Sequence, residues 1–561
     1  MKYILRILFL VLIMTSTAGA VGSIMIFGGG SDTRSWATDP FVWFVQQADS
    51  GLIINIDADE VATSYATTFI KYGADPASYS LRIKDRGEAN DSNTYDKLIA
   101  AKGIFIEGGD QWDYVSNWKG TLVEDAIHYV FENGGVIAGT SAGCAIMGEV
   151  SFDAKYGSAY PDDSAVDPYN NRIHLEDDFL HVLPDVLTDS HFHERGRLGR
   201  LVPMLARRIQ DNGDDNLLGI GVDLNTAFCI TADRVARVMG EGVVTILHKT
   251  EKSIIHCEAN EPLTFTHIRY HQLNYGAVFD LNARNVVDAG PNMEAVTSWQ
   301  RVPEFATVTL NGSLEQTGSS GSVKISSYTR NETDAWYGRL NMTSGDSLVP
   351  NSIIIPRIWS DNDYYENRII GGMYAVSRDP GLFAIYLDDG SELEILANNT
   401  FKVNKLAYIL ETQNLSHTGI LKTRNTNFPG LVGATLHFLG DGMQISWLDG
   451  FVNIKEKKSE KMTPDNYRIF QNYPNPFNPN TTIEYALQKD AEVNMTIYNL
   501  NGQFITTLFS GFRQAGNYEV RWNGSDQFQK PVSSGVYMIK MICAGKNETT
   551  TILTKKIALL K

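Results

Sequence analysis

The sequence predicts an α/β fold built on a parallel sheet, followed by a β-rich accessory domain and a C-terminal β-sandwich. Three observations carry that expectation. Between residues 21 and 287, short apolar runs alternate with amphipathic segments, and near-continuous apolar strands with helices between them indicate a parallel sheet covered on both faces. One of these runs ends in Gly139-Thr140-Ser141-Ala142-Gly143, the pattern of a nucleophile elbow between a strand and a helix. Beyond Gln300, Thr, Ser, Asn and β-branched residues take over with period-two alternation, as in Ser322-Val323-Lys324-Ile325-Ser326, and helical patterning nearly disappears.

Taken in order, the chain begins with Lys2 and Arg6 around a start that runs into apolar residues 7–14, then Ala18-Gly19-Ala20. That is the form of an export signal with a small-residue cleavage site, so residues 1–20 are set apart from the fold. A membrane anchor needs about 20 apolar residues; this run is shorter, and no later stretch is long enough. With 561 residues, 43% hydrophobic and 20% charged, the chain has room for two to four globular domains. Its formal charge of −17 supplies no overall basic face for phosphates, so no nucleic-acid partner is expected. Cys144, Cys229, Cys257 and Cys543 lie far apart. They read most simply as buried small hydrophobes, with a Cys229–Cys257 bridge as the alternative.

Residues 21–300 form the first expected domain. Ile24-Met25-Ile26-Phe27 leads to Gly28-Gly29-Gly30, Ile53-Ile54-Asn55-Ile56 to Asp57, and Gly103-Ile104-Phe105-Ile106 to Glu107-Gly108-Gly109-Asp110. The fourth run, Val136-Ile137-Ala138, leads to the elbow. In a parallel sheet the ligand site lies beyond the carboxyl ends of the strands, where all four endings fall. The elbow would hold the Ser141 hydroxyl at a helix N-terminus, whose backbone N–H groups can receive an oxyanion. The plainer alternative is a small-residue turn packed under a sheet.

An acyl-transfer serine needs a base and a group that orients it. Fifty residues on, Asp189-Ser190-His191-Phe192-His193-Glu194-Arg195-Gly196-Arg197 follows a plausible strand over 186–188, and His191 is the expected general base. His193 is expected to pack or face solvent. Leu198, Leu201, Val202 and Leu205 recur at helical spacing, which places Arg197 and Arg200 off the buried face. There a guanidinium cluster would fix substrate carboxylates.

These motifs together resemble the cyanophycinase group of serine peptidases, relatives of the aspartyl dipeptidases. The resemblance runs over about 23–287 and rests on Glu107-Gly108-Gly109-Asp110-Gln111, the elbow, Asp189-Ser190-His191-Phe192 with its arginines, and Gly219-Ile220-Gly221-Val222-Asp223. It implies a flavodoxin-like sheet with Ser141 as nucleophile, His191 as base, and an oxyanion hole at Gly109 and Ala142. It also implies a substrate site with Gln111, Asp189, Arg195, Arg197 and Arg200, and no cofactor or metal. Cyanophycinases cleave a poly-aspartate backbone whose aspartates carry arginine, so a peptide or cyanophycin-like polymer is the implied substrate. The family's triad acid follows the elbow helix. Asp153 and Glu149 stand there, and Asp153 matches the family's spacing better. Ser190 replaces a usual glutamine, and Leu224 stands where an acid is common, which loosens the expected specificity. The alternatives are a non-catalytic binding protein on the same fold and, more remote, a metal-dependent amidohydrolase using His191, His193 and Asp189.

Residues 301–453 form the β-rich accessory domain, where Trp336, Tyr337, Trp359, Tyr364 and Tyr365 either line a polymer-binding face or pack as core. A charged linker spans 454–466. The segment 467–561 opens with Tyr473-Pro474-Asn475-Pro476-Phe477-Asn478-Pro479 and continues as short strands with turns at Asn501-Gly502, Ala515-Gly516 and Ser534-Gly535. It resembles the C-terminal sorting domain of proteins exported by the type IX secretion system. That resemblance implies a secreted or cell-surface protein and a partner in that machinery; the oligomeric state stays open.

Overall fold

In the computed structural model, residues 21–560 are described apart from 31–34, 60–61, 298–304, 314–318, 328–339, 357, 359–367, 424–426, 449–450, 456–466, 471, 473–474, 476, 529 and 545–549. The expected export signal, most of the linker and the five aromatics of the accessory segment therefore lie outside the described residues. The chain divides into a larger unit, which runs through Ile454 apart from residues 211–213, and a smaller one, made of those three residues and residues 455–561.

The larger unit contains a nine-stranded sheet whose parallel part is formed by β1 (Ser23–Phe27), β2 (Ile53–Asp57), β3 (Tyr79–Arg82), β4 (Gly103–Ile106) and β5 (Val136–Thr140) in the order β1-β5-β4-β2-β3. Four antiparallel strands extend it from β1, beginning with Thr226–Ile230. The apolar runs are continuous because successive side chains point to opposite faces and both faces are covered. Met25, Phe27, Ile53, Phe105 and Ala138 pack with Phe41, Phe44 and Phe69 of helices Thr38–Gln47 and Thr63–Lys71. Ile24, Ile26, Ile54, Ile104 and Ile137 pack on the other face with Trp118, Ile127 and Val130 of helices Gln111–Trp118 and Leu122–Glu132.

A second sheet, of fifteen strands, provides the other wall of the site. In it Leu183–Asp189 lies between β6 (Gly148–Phe152) and Leu218–Val222, parallel to both. Val186, Leu218, Ile220 and Val222 share a core with Ile24, Ile137 and the elbow helix's Cys144. The strand before His191 therefore belongs to this sheet and not to the one that carries Ser141.

The expected break between a peptidase domain ending at 300 and an accessory domain from 301 does not divide compact units. Thr264–Leu273 pairs antiparallel with Asn427–Gly440, Tyr270 opposite Ala434, and Ile268 and Tyr270 pack with Met373, Tyr386 and Phe438. A helix, Ile369–Arg378, also interrupts the segment expected to be almost free of helix. A separate five-stranded sheet buries Leu310, Leu393, Phe401 and Ile445.

The smaller unit is a β-sandwich. A three-stranded sheet (Arg468–Ile469, Thr481–Leu487, Gly516–Trp522) and a four-stranded one (Phe504–Arg513, Ala491–Asn499, Gly535–Ala544, Thr551–Leu559) bury Phe477, Tyr485, Met495, Trp522, Ile539 and Leu559 between them. All four cysteines of the chain are free and buried, so no Cys229–Cys257 bridge forms.

Candidate active site

Ser141 sits between the end of β5 and the short helix Ala142–Ala145 with φ 51° and ψ −109°, a strained conformation for a residue with a side chain. Backbone bonds hold it there. Its N–H donates to Phe27 O at 3.0 Å, and Gly143 N–H donates to Glu107 O at 3.0 Å. The two flanking glycines are required by crowding: a Cβ on Gly139 would lie 2.3 Å from Gly143 O, and one on Gly143 would lie 2.4 Å from Ile106 O.

His191 comes to the serine from the second sheet. Its N–H donates to Gly28 O at 2.9 Å, and Gly29 makes room for the ring, because a Cβ there would fall 2.4 Å from Nε2. Nε2 lies 2.9 Å from Ser141 Oγ, and Nδ1 lies 2.8 Å from Glu194 Oε1. Glu194 Oε2 in turn accepts the Leu224 N–H at 3.3 Å. A carboxylate on Nδ1 favours the tautomer with its proton there, which leaves Nε2 to accept the serine proton. Burial lowers the pKa of His191 below its ordinary 6.5; Glu194 opposes the shift, while Arg195 and Arg197 add to it. The imidazole is thus neutral, as a base must be, at neutral pH.

Neither acid expected from the sequence reaches this histidine. Asp153, fully buried, holds His174 Nδ1 at 2.7 Å. Glu149 accepts the Asp185 N–H at 2.6 Å and lies 3.5 Å from His181 Nε2. Both stand on or just after β6, whose end continues into a loop paired elsewhere. The acid at His191 is Glu194, three residues on, because the turn between them brings positions i and i+3 together; nothing in the spacing after the elbow points to it.

Two arginines of the cluster turn inward. Asp189 accepts from Arg200 Nε at 2.8 Å and from its Nη2 at 2.7 Å, and Arg197 Nη1 lies 3.3 Å away. Arg200 is 1% exposed and its guanidinium lies 4.8 Å over the Phe152 ring. Burial by itself would raise the Asp189 pKa, but the two guanidiniums overcome it and hold the group below its ordinary value. Arg200, with its fork on Asp189, and Arg197, which also donates to Ser190 O at 2.9 Å, therefore brace the turn that carries His191. The helix, Leu198–Asn212, forms as expected, yet Arg200 lies on its buried side because a bidentate partner waits there. Arg195 and Gln111 are partly exposed, Gln111 at the start of helix Gln111–Trp118. His193 is buried with Nδ1 2.9 Å from Asp223 Oδ1, turned to a different partner from His191. Among the described residues no three His, Cys, Asp or Glu converge as metal ligands.

The loop expected to supply an oxyanion donor runs against the serine. A Cβ on Gly108 would lie 3.2 Å from Ser141 Cβ, and Gly109 has a φ of 140° that a side chain would disfavour. The Tyr114 hydroxyl fixes this loop, lying 2.8 Å from Gly108 O and 3.1 Å from Asp57 Oδ2. Ala142, the first residue of the elbow helix, is buried beside it.

Known proteins match the chain in two separate segments. The model of peptidase family S51 matches residues 52–237, and that of the FlgD Ig-like domain matches residues 478–545. A cyanophycinase of Trichormus variabilis is 34% identical over 283 residues, 48% of this chain and 88% of the relative. One of Synechococcus elongatus is 30% identical over 280 residues, 48% of this chain and 82% of the relative. A crystal structure of a peptidase from an acI-B1 actinobacterium aligns over 47% of this chain and 98% of its own, at 16% identity and a TM-score of 0.32. Matched by relatives over most of their own length, the chain belongs to peptidase family S51, a serine-type peptidase akin to the cyanophycinases.

Proposed function

We propose that the chain hydrolyses aspartate-rich or β-aspartyl, cyanophycin-like peptides through an acyl-enzyme on Ser141. The observation that carries this reading is the line from Ser141 Oγ through both His191 ring nitrogens to Glu194, at 2.9 and 2.8 Å. In it His191 takes the hydroxyl proton as Oγ attacks the carbonyl carbon, and Glu194 steadies the imidazolium. The tetrahedral oxyanion would face the N–H groups of Gly109 and Ala142. His191 then passes the proton to the leaving amine, and water, activated by the same ring, releases the acyl group. The relatives' name supports the substrate class, while Ser190 and Leu224 favour a range of peptides wider than cyanophycin.

Dipeptide release from cyanophycin and from β-aspartyl and α-aspartyl dipeptides tests this. Ser141→Ala is expected to lose at least ~10³-fold in rate; equal rates for the two proteins would overturn Ser141 as nucleophile.

We also infer that residues 1–20 direct export and that 467–561 address the chain to the type IX machinery and the cell surface. The Ig-like match over 478–545 supports a sandwich of the right kind in that segment. In a host with that machinery the full chain should reach the surface or the medium, and a chain ending at 466 should stay inside. Identical distribution of the two would remove the address.

A further inference from the structure

Residues 153–158 form a strap from the end of β6, which pairs with the strand before His191, to helix Gln111–Trp118, which follows Gly109. It leaves β6 at Asp153, two residues past the pair formed by Ser151 and Thr188, and so beside the turn that carries His191. Buried Asp153 pins it: Oδ1 accepts the Lys155 N–H at 3.0 Å, and Oδ2 holds His174 Nδ1 at 2.7 Å. Ala154 and Gly157 turn the chain with φ of 54° and 87°. Lys155 Nζ comes to rest 5.0 Å over the ring of Trp112 and 5.5 Å over that of Tyr156. Trp112 is the second residue of helix Gln111–Trp118, which starts just beyond Gly109. The ammonium thereby rests on the helix that begins two residues after Gly109.

Asp189 takes up Arg197 and Arg200, so two of the cations expected to meet a substrate carboxylate are engaged inside the protein. Lys155 is exposed, and among the described residues no carboxylate lies within ion-pair distance of it. Asp110 is close in sequence to Trp112, but its carboxylate caps the helix through the Trp112 N–H at 2.9 Å. A lysine on exposed aromatic faces is held weakly. A charge-assisted hydrogen bond to a carboxylate is the stronger contact, so the ammonium is available to an acidic ligand while the rings support its stem.

We propose that Lys155 is the specificity residue that selects substrates with a free carboxylate next to the scissile amide. The proposal rests on the serine-peptidase reading above and names the substrate feature that this site prefers. It also gives Asp153 a part as the positioning residue of the strap.

The test uses the full-length Ser141→Ala protein, which binds without turnover, with a β-aspartyl dipeptide and its counterpart in which an amide replaces the free carboxylate. In that background Lys155→Met is expected to weaken the carboxylate form about 10- to 100-fold and to change the amide form by less than about twofold, the size of one charge-assisted hydrogen bond. Lys155→Arg should keep most of the preference. Equal weakening of both peptides, no change in either, or no preference for the carboxylate form before substitution overturns the proposal. Turnover decides the other question separately: absence of Ser141-dependent hydrolysis would remove the catalytic reading, while the binding comparison still decides Lys155.

Discussion

Glu194, not Asp153 or Glu149, holds the position from which a carboxylate can orient His191, and the consequence is measurable. Glu194→Gln is expected to cost roughly 10²- to 10⁴-fold in kcat/KM, since an amide can stabilise the wrong tautomer and gives the imidazolium no counter-charge. Glu149→Gln should stay within about threefold, because its contacts are to the Asp185 N–H and His181. The pH profile supplies a second readout. His191 must be neutral to act as base, and burial sets its pKa below 6.5 while Glu194 pulls it upward. The acid limb of kcat/KM should therefore lie below pH 6.5, and Glu194→Gln should move it further down. A limb displaced to higher pH in that variant would contradict the contact.

At the scale of elements, what the sequence revealed was local and what it hid was pairing. Four of the five parallel strands and their polar endings are readable because a strand covered on both faces is apolar at every position, and its end is marked by glycine or a carboxylate; the fifth, Tyr79–Arg82, is a half-exposed edge strand. The elbow glycines were readable for a related reason: the turn leaves no space for a Cβ beside Gly143 O or Ile106 O. The strand before His191 was readable too, but its membership of the second sheet was not, because hydrophobic patterning does not name the neighbour with which a strand pairs. The same blindness misplaced Arg200, whose helical position says surface while its fork finds Asp189. Helix Ile369–Arg378 escaped for a different cause. It is short and carries Gly371-Gly372 with the β-branched Ile369, Ile370 and Val376, residues whose intrinsic preference runs against a helix, and burial from Ile369 through Ser377 overrides that preference.

The same rule, that pairing partners distant in sequence are invisible to patterning, decides how the whole molecule can be cut. A boundary at 300 looks natural from composition, and the relatives match only about this first half. Yet Thr264–Leu273 is paired along one edge by Asn427–Gly440, and the apolar side chains of Phe265, Ile268 and Tyr270 are buried with Met373, Tyr386, Leu436 and Phe438. Ending the chain at 300 would leave a long strand with a free edge and an uncovered apolar face, the combination that drives aggregation. Ending it at 454 removes only the smaller unit, whose core of Phe477, Met495, Trp522 and Ile539 is its own. The expected outcome is that residues 21–454 express as a soluble, cooperatively melting protein with Ser141-dependent hydrolysis close to that of the full chain. Residues 21–300 should aggregate or melt without cooperativity, and exchange of residues 264–273 with deuterated solvent should be fast wherever any soluble material survives. A soluble and active 21–300 fragment would mean that the pairing with Asn427–Gly440 is dispensable, and that the large second sheet adds to the peptidase without holding it together.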